Sequence, residues 1–153
     1  MALFASWVHG NALVVENPGN LTSLGHLGWG ADMRVKPGKD SWFHIPIPTP
    51  VITGGIRTKI QKLFMLFDAE NGSIRNVHIY DGPNKVQEYN GLMLEGNHFY
   101  GIDAVNTFNL SNPHTVLWGM SISFYYIASI GFDSSIPAPR LAVSTAGGDF
   151  TAS

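Results

Sequence analysis

The segment from Thr115 to Ile127, TVLWGMSISFYYI, constrains the fold more than any other stretch of the chain. Read with a period of two, one face carries Val116, Trp118, Met120, Ile122, Phe124 and Tyr126, and the other carries Leu117, Gly119, Ser121, Ser123 and Tyr125. Apolar residues at every second position, rich in aromatic and β-branched types, specify a strand rather than a helix. At ~3.3 Å per residue the segment would run to roughly 40 Å, longer than a usual strand. A bend or bulge is therefore expected near Gly119. The large face is expected in the core, Trp118 included, and the small polar face is expected to be a wet surface or the floor of a groove.

The rest of the chain reads the same way. Phe4 to His9 and Ala12 to Glu16 form a hairpin pattern around His9-Gly10-Asn11, and Asn17-Pro18-Gly19-Asn20 is a turn. Leu21 to Lys39 is glycine-rich and reads as a partly ordered loop with a short strand near Asp32 to Val35. Ser41 to Pro48 alternates, with Phe43, Ile45 and Ile47 opposing Trp42, His44, Pro46 and Pro48; its prolines place it at a sheet edge. Arg57 to Asp68 is a long strand whose Leu63 to Phe67 section is apolar on both faces, so cover by loops or a partner is expected there. Asn71-Gly72 reads as a hairpin turn, followed by Ile74 to Tyr80, the turn Asp81-Gly82-Pro83-Asn84, and shorter strands at Val86 to Tyr89, Leu92 to Leu94 and Val105 to Leu110. Asp133 to Pro139 reads as a loop and Arg140 to Thr145 as the last strand. No convincing helical stripe interrupts this series. The expected fold is all-β: one antiparallel β-sandwich domain over residues 1–153, of jelly-roll or Greek-key type, with little or no helix.

Composition narrows the function classes. At 153 residues, 44% hydrophobic and 13% charged, the chain can bury a core of its own. A net charge of −2 without a basic run disfavours nucleic acid as a partner. No apolar run approaches the ~18 residues of a membrane span. The start, MALFASWVHG, lacks a charged leader region and reads as a first strand, which makes the cytoplasm the default compartment. The absence of cysteine excludes disulfides, thiolate chemistry and the usual structural zinc sites, and no cofactor is expected.

The phrases WVHGNALVVE, GHLGWGADMRVKPGKDSWFHIPIPTPVI, VHIYDG, VLWGMSISF and the terminal STAGGDF together resemble a bacterial family of roughly 150-residue all-β proteins catalogued as a domain of unknown function. The resemblance spans nearly the whole chain. It implies a single β-sandwich domain and transfers no activity or site residue.

Chemistry is sought first among the six histidines. His44 shares a strand face with Trp42, His78 with Tyr80, and His9 with Trp7. Imidazoles beside aromatic rings could line a cleft suited to hydrogen bonding or proton transfer. The plainer reading, a solvent-facing or hydrogen-bonded strand residue, is favoured for each, because no His-x-His or HExxH spacing is present. Glu95 and Asp103 flank a loop with His98 and Tyr100, a lesser candidate for a pair of acid–base carboxylates. Trp29, set between Gly28 and Gly30, is either a tertiary anchor or an exposed contact for a ligand or a second subunit.

The ligand-binding set expected from the sequence is therefore Trp42, His44, His78, Tyr80 and Trp29, with no catalytic or metal-ligating residue assigned. The leading reading is a non-catalytic binding module for a glycan or small molecule that also forms a homo-oligomer. A self-assembling structural protein is the first alternative. A small all-β enzyme using His and Asp or Glu in a cleft is the second.

Overall fold

The structure is a computed structural model and describes residues 2–131 and 137–153. In chain order the strands are β1 (Ala2–His9), β2 (Val14–Val15), β3 (Leu21–Leu27), β4 (Gly30–Val35), β5 (Asp40–Pro46), β6 (Ile52–Thr53), β7 (Ile56–Arg57), β8 (Lys59–Asp81), β9 (Asn84–Tyr89), β10 (Leu94–His98), β11 (Thr107–Thr115), β12 (Met120–Ala128) and β13 (Arg140–Ala152). Among the described residues the only helical pieces are single 3₁₀ turns at Gly10–Ala12 and Pro18–Asn20. The chain is all-β, as the alternation requires.

One antiparallel sheet runs β2-β5-β12-β8-β13-β4-β3, with β1 beside β13 and with β9, β10 and β11 beside β8; β6 and β7 form a separate hairpin. Met33 of β4, Phe43 of β5, Phe67 and Ile79 of β8, Phe108 of β11, Phe124 of β12 and Val143 of β13 all belong to one apolar cluster. Strands from both ends of the sheet share that cluster, so the sheet curls around a single core. Within it Phe43 stacks on Phe124 at 5.5 Å.

The 23-residue strand β8 organises the fold. Its first half lies between β13 and the pair β10 and β11, and its second half lies between β12 and β9. The hairpin expected at Asn71-Gly72 is not formed; the chain runs on through both residues as strand. Asn71 takes a left-handed φ of 51°, which kinks the ladder without reversing it. Gly72 is required there because the Tyr126 hydroxyl occupies the space a Cβ would take.

Three further expectations are corrected. The segment Leu21 to Lys39 is not a loop but mostly the β3–β4 hairpin, in register from Leu21↔Val35 to Leu27↔Gly30. The last strand extends to Ala152, because β13 pairs with both β1 and β8 along that length. Strand β12 begins only at Met120, so Val116 to Gly119 is a connection rather than the start of the long strand, and the break falls where Gly119 was expected to bend it. The loop read at 133–139 lies mostly outside the described residues.

The doubly apolar section of β8 is covered from within the chain. Phe64 points away from the core and is capped by Trp7 of β1, the rings stacking at 5.3 Å and 12°. Trp7 and Phe64 both lie opposite Gly147 of β13, and a Cβ on Gly147 would collide with the Trp7 ring. An absent side chain thus lets an aromatic residue reach across one strand to the next.

Candidate functional site: an outward-facing cleft on β5, β12 and β8

The pleat sends alternate side chains to opposite faces. On β5, β12 and β8 the inward set is Phe43, Ile45, Ile122, Phe124, Val77 and Ile79, all fully buried. The outward set is Trp42, His44 and Pro46 on β5, Ser121, Ser123 and Tyr125 on β12, and Asn76, His78 and Tyr80 on β8. Register aligns these in rows. His44 lies opposite Ser123, Ser123 opposite His78, and His78 opposite Glu88 of β9. Trp42, Tyr125 and Asn76 make the row on one side; Pro46, Ser121, Tyr80 and Lys85 make the row on the other.

Together they shape a cleft of about 420 Å³, lined by Trp42, His44, His78 and Tyr80 with Glu16, Gly82, Ser121 and Ser123. Four of the five residues expected to bind ligand are therefore neighbours. The other lining residues escaped sequence reasoning, because only the register of β12 shows that its small, polar face fills the space between the two histidines.

Hydrogen bonds fix the polar groups. His44 Nε2–H donates to Glu16 Oε1 at 3.1 Å, which leaves Nδ1 to accept from the Ser123 hydroxyl at 2.8 Å. His78 Nε2–H donates to Asn90 Oδ1 at 3.1 Å, and Asn76 Nδ2 donates to the same oxygen at 2.8 Å. The Trp42 ring lies against His78 at 4.9 Å and Tyr125 at 5.5 Å. Tyr125 donates to Asp40 Oδ2 at 2.6 Å; burial, then that hydrogen bond, push its phenol up to about 12, so it remains a donor at neutral pH. At the β9 side the hydrogen bond from Lys85 to Glu88, 2.6 Å, holds the Glu88 carboxyl below its ordinary value.

A buried carboxylate shapes the far end of the cleft. Asp81, 1% exposed, closes β8. Its Oδ2 accepts from Leu117 N at 2.8 Å and His114 Nε2 at 2.7 Å, and its Oδ1 accepts from Trp118 N at 2.9 Å and Gly119 N at 3.0 Å. Burial opposes the charged form, but these donors outweigh it and hold the carboxyl below its ordinary value. The same bonds pull residues 117–119 out of the strand. Trp118, expected in the core, is instead 66% exposed. Its ring rests on Gly82, where a Cβ would come within 3.0 Å of it, and Gly82 also lines the cleft. The period of two runs unbroken through residues 116–120 in sequence, and only the buried acid, 37 positions earlier, takes Trp118 off the core face.

The family model of DUF6623, a family of unknown function, matches residues 1–129. The chain belongs to this family. No curated protein matches it. The matched part of this DUF6623 chain contains all the residues that line the cleft, and Trp118 as well; β13 lies beyond it.

Trp29 stands apart from the other four expected residues. It occupies the β3–β4 turn and lines a second cavity of about 230 Å³ with Asp68, Asn97, Phe99, Tyr100 and Arg140. The remaining histidines of the DUF6623 chain hold loops together. His9 Nε2 bonds the Gly28 carbonyl at 2.8 Å, His26 Nδ1 the Asn11 carbonyl at 2.8 Å, and His98 Nδ1 the Asp103 carboxylate at 2.6 Å. Asp103 also accepts from the backbone N–H groups of Val105 and Asn106, so it organises its loop. Among the described residues no three His, Cys, Asp or Glu side chains gather as a metal-binding group.

Proposed function

We propose that this chain is a non-catalytic binding module whose cleft takes a glycan or a similar polyhydroxylated small molecule. The observation that carries the reading is the row His44–Ser123–His78, flanked by Trp42 on one side and Tyr80 on the other and held on three hydrogen-bonded strands. Hydroxyl groups both donate and accept; His78 Nδ1 is left to accept, and Glu16 and the Tyr80 hydroxyl in the same lining add an acceptor and a donor. Half-exposed aromatic rings provide apolar area at little entropic cost, and exposed Trp118 extends that area at one end. A rigid ladder presents these groups without an ordering cost on binding.

The chain Ser123–His44–Glu16 has the composition of a nucleophile, a base and an orienting acid, which is what the enzymatic alternative would use. Ser123, however, is 5% exposed and sits on β12 between β5 and β8, where the backbone N–H groups are engaged in the ladders. Those N–H groups are not free to stabilise a developing oxyanion, so binding is favoured over hydrolysis.

The test is a glycan and polyol screen of the full chain, followed by calorimetry of any hit. Trp42→Ala is expected to weaken binding by about tenfold, ~1.4 kcal/mol, with an unchanged far-ultraviolet circular dichroism spectrum. Unfolding of that variant, or retained affinity, would remove Trp42 from the site.

Homo-oligomer formation is a second reading, supported by β3. This terminal strand of the sheet has no Lys, Arg, Asp or Glu, and Leu24 and Leu27 are exposed on it, a combination that invites edge pairing. Light scattering across a concentration series should show a stable oligomer that Leu24→Lys reduces to monomer; a monomer at all concentrations ends this reading.

A further inference from the structure

The cavity beside Trp29 has a chemistry of its own. Its floor is a second cross-strand row: Asp32 of β4 and Asp68 of β8 both lie opposite Ala142 of β13, and Asn97 of β10 lies opposite Asp68. Only a methyl group separates the two acids along that row. Arg140 reaches over it, Nε donating to Asp32 at 2.8 Å and a terminal nitrogen donating to Asp68 at the longer distance of 3.3 Å. Asp68 is 8% exposed, yet its Oδ1 has no hydrogen-bond partner among the described residues. Glu70, opposite Arg140 in register, brings a third carboxyl, held above its ordinary value first by a side-chain hydrogen bond shared with Asp68 and then by burial. Arg34, the other cation of the row, donates to the Ala138 carbonyl. Three acids thus face two arginines, and the most buried of the three, Asp68, is held by Arg140 through one oxygen only.

Three aromatic rings wall this floor. Trp29 meets Phe99 edge-on at 5.6 Å and 67°, and Phe99 meets Tyr100 at 5.2 Å and 74°. Tyr100 is 87% exposed, but its loop is built on buried Asn106, whose Nδ2 donates to the carbonyls of His98 and Gly101 and whose Oδ1 accepts from Asp103 N. The Ser144 hydroxyl ties down the Phe99 carbonyl.

We propose that this cavity binds a cation bearing N–H donors, a primary ammonium or guanidinium group, independently of whatever the cleft binds. The positive charge offsets the surplus acid, the aromatic wall, where the Arg140 guanidinium already lies 5.8 Å from the Trp29 ring centre, suits a cation, and its N–H groups answer the Asp68 Oδ1. A quaternary ammonium lacks the donor, and a neutral alcohol lacks the charge.

The experiment titrates the full chain with butylammonium and butylguanidinium, reading the Trp29 indole N–H by nuclear magnetic resonance, the peak being assigned by its absence in Trp29→Ala. Tetramethylammonium and 1-butanol serve as controls. A saturable shift with both cations is expected, at least about tenfold weaker with either control. Asp68→Asn should weaken the cations to a similar degree. In Trp29→Ala the stabilisation by cations against thermal unfolding should vanish, whereas Trp42→Ala should retain it. Equal binding of 1-butanol, cation binding that survives both Asp68→Asn and Trp29→Ala, or the lack of any saturable shift would overturn the proposal. Should Asp68→Asn fail to fold, the ligand series and Trp29→Ala still decide. A glycan screen failing at the cleft would leave this result untouched.

Discussion

The cleft and the cavity both stand on the outward face of β8, and they are built in opposite ways. The cleft draws its side chains from neighbouring strands, so its geometry is the geometry of the ladder: His44, Ser123 and His78 are successive members of one row. The cavity has a strand floor but loop walls, Trp29 on a hairpin turn and Phe99 and Tyr100 after β10. A ladder holds side chains in place by pairing every residue. A loop must be held by a few buried polar groups, and those become its points of failure. The cleft shares that weakness only at its end, where Asp81 positions Trp118 as Asn106 positions Tyr100.

Removing these two hubs should separate the regions. Asp81→Ala leaves three backbone N–H groups and His114 without their acceptor, and it should cost about 3 kcal/mol or more, read as a lower urea midpoint. The acid limb gives an independent check. Because the folded carboxyl lies below its unfolded value near ~3.9, its contribution is complete above that pH and is lost as pH falls through the folded value. The gap between wild type and Asp81→Asn should therefore narrow from pH 7 to pH 3; a constant gap would show that Asp81 acts by shape rather than charge.

Asn106→Ala should cost about 2 kcal/mol and abolish cation binding at the cavity while the cleft still binds its ligand. Loss of both would mean that the two regions are one cooperative unit. The smallest effect is expected of Trp118→Ala. Its ring is largely exposed, so the unfolding free energy from urea titration should stay within ~0.5 kcal/mol of wild type. Affinity for the cleft ligand should fall a few-fold, by about 1 kcal/mol, measured by calorimetry. A large loss of stability would instead make Trp118 a structural cover for Gly82.

The comparison also shows why the two regions differ in legibility. Trp42 with His44, and His78 with Tyr80, could be paired from the sequence because residues two apart on a strand share a face. Trp29 could be singled out as an unsupported ring, but its company could not, since Asp68, Phe99 and Arg140 reach it from distant parts of the chain. Alternation puts Trp118 on the core face because the pattern continues in the letters where no ladder exists. Asn71-Gly72 reads as a reversal because that dipeptide favours one; the pairing of β12 and β13 along β8 holds the chain extended through it.

The sequence by itself determined most of the strands and, within them, the inward and outward faces, and hence an all-β chain with a mixed aromatic and polar exterior. Those follow from covalent geometry, since the pleat alternates whatever the partner strand is. Tertiary structure alone decided the register that places Ser123 between two histidines, the separation of Trp29 from Trp42, and the exposure of Trp118. Register and buried acceptors link residues tens of positions apart, and their energies depend on which groups meet, so no local pattern records them.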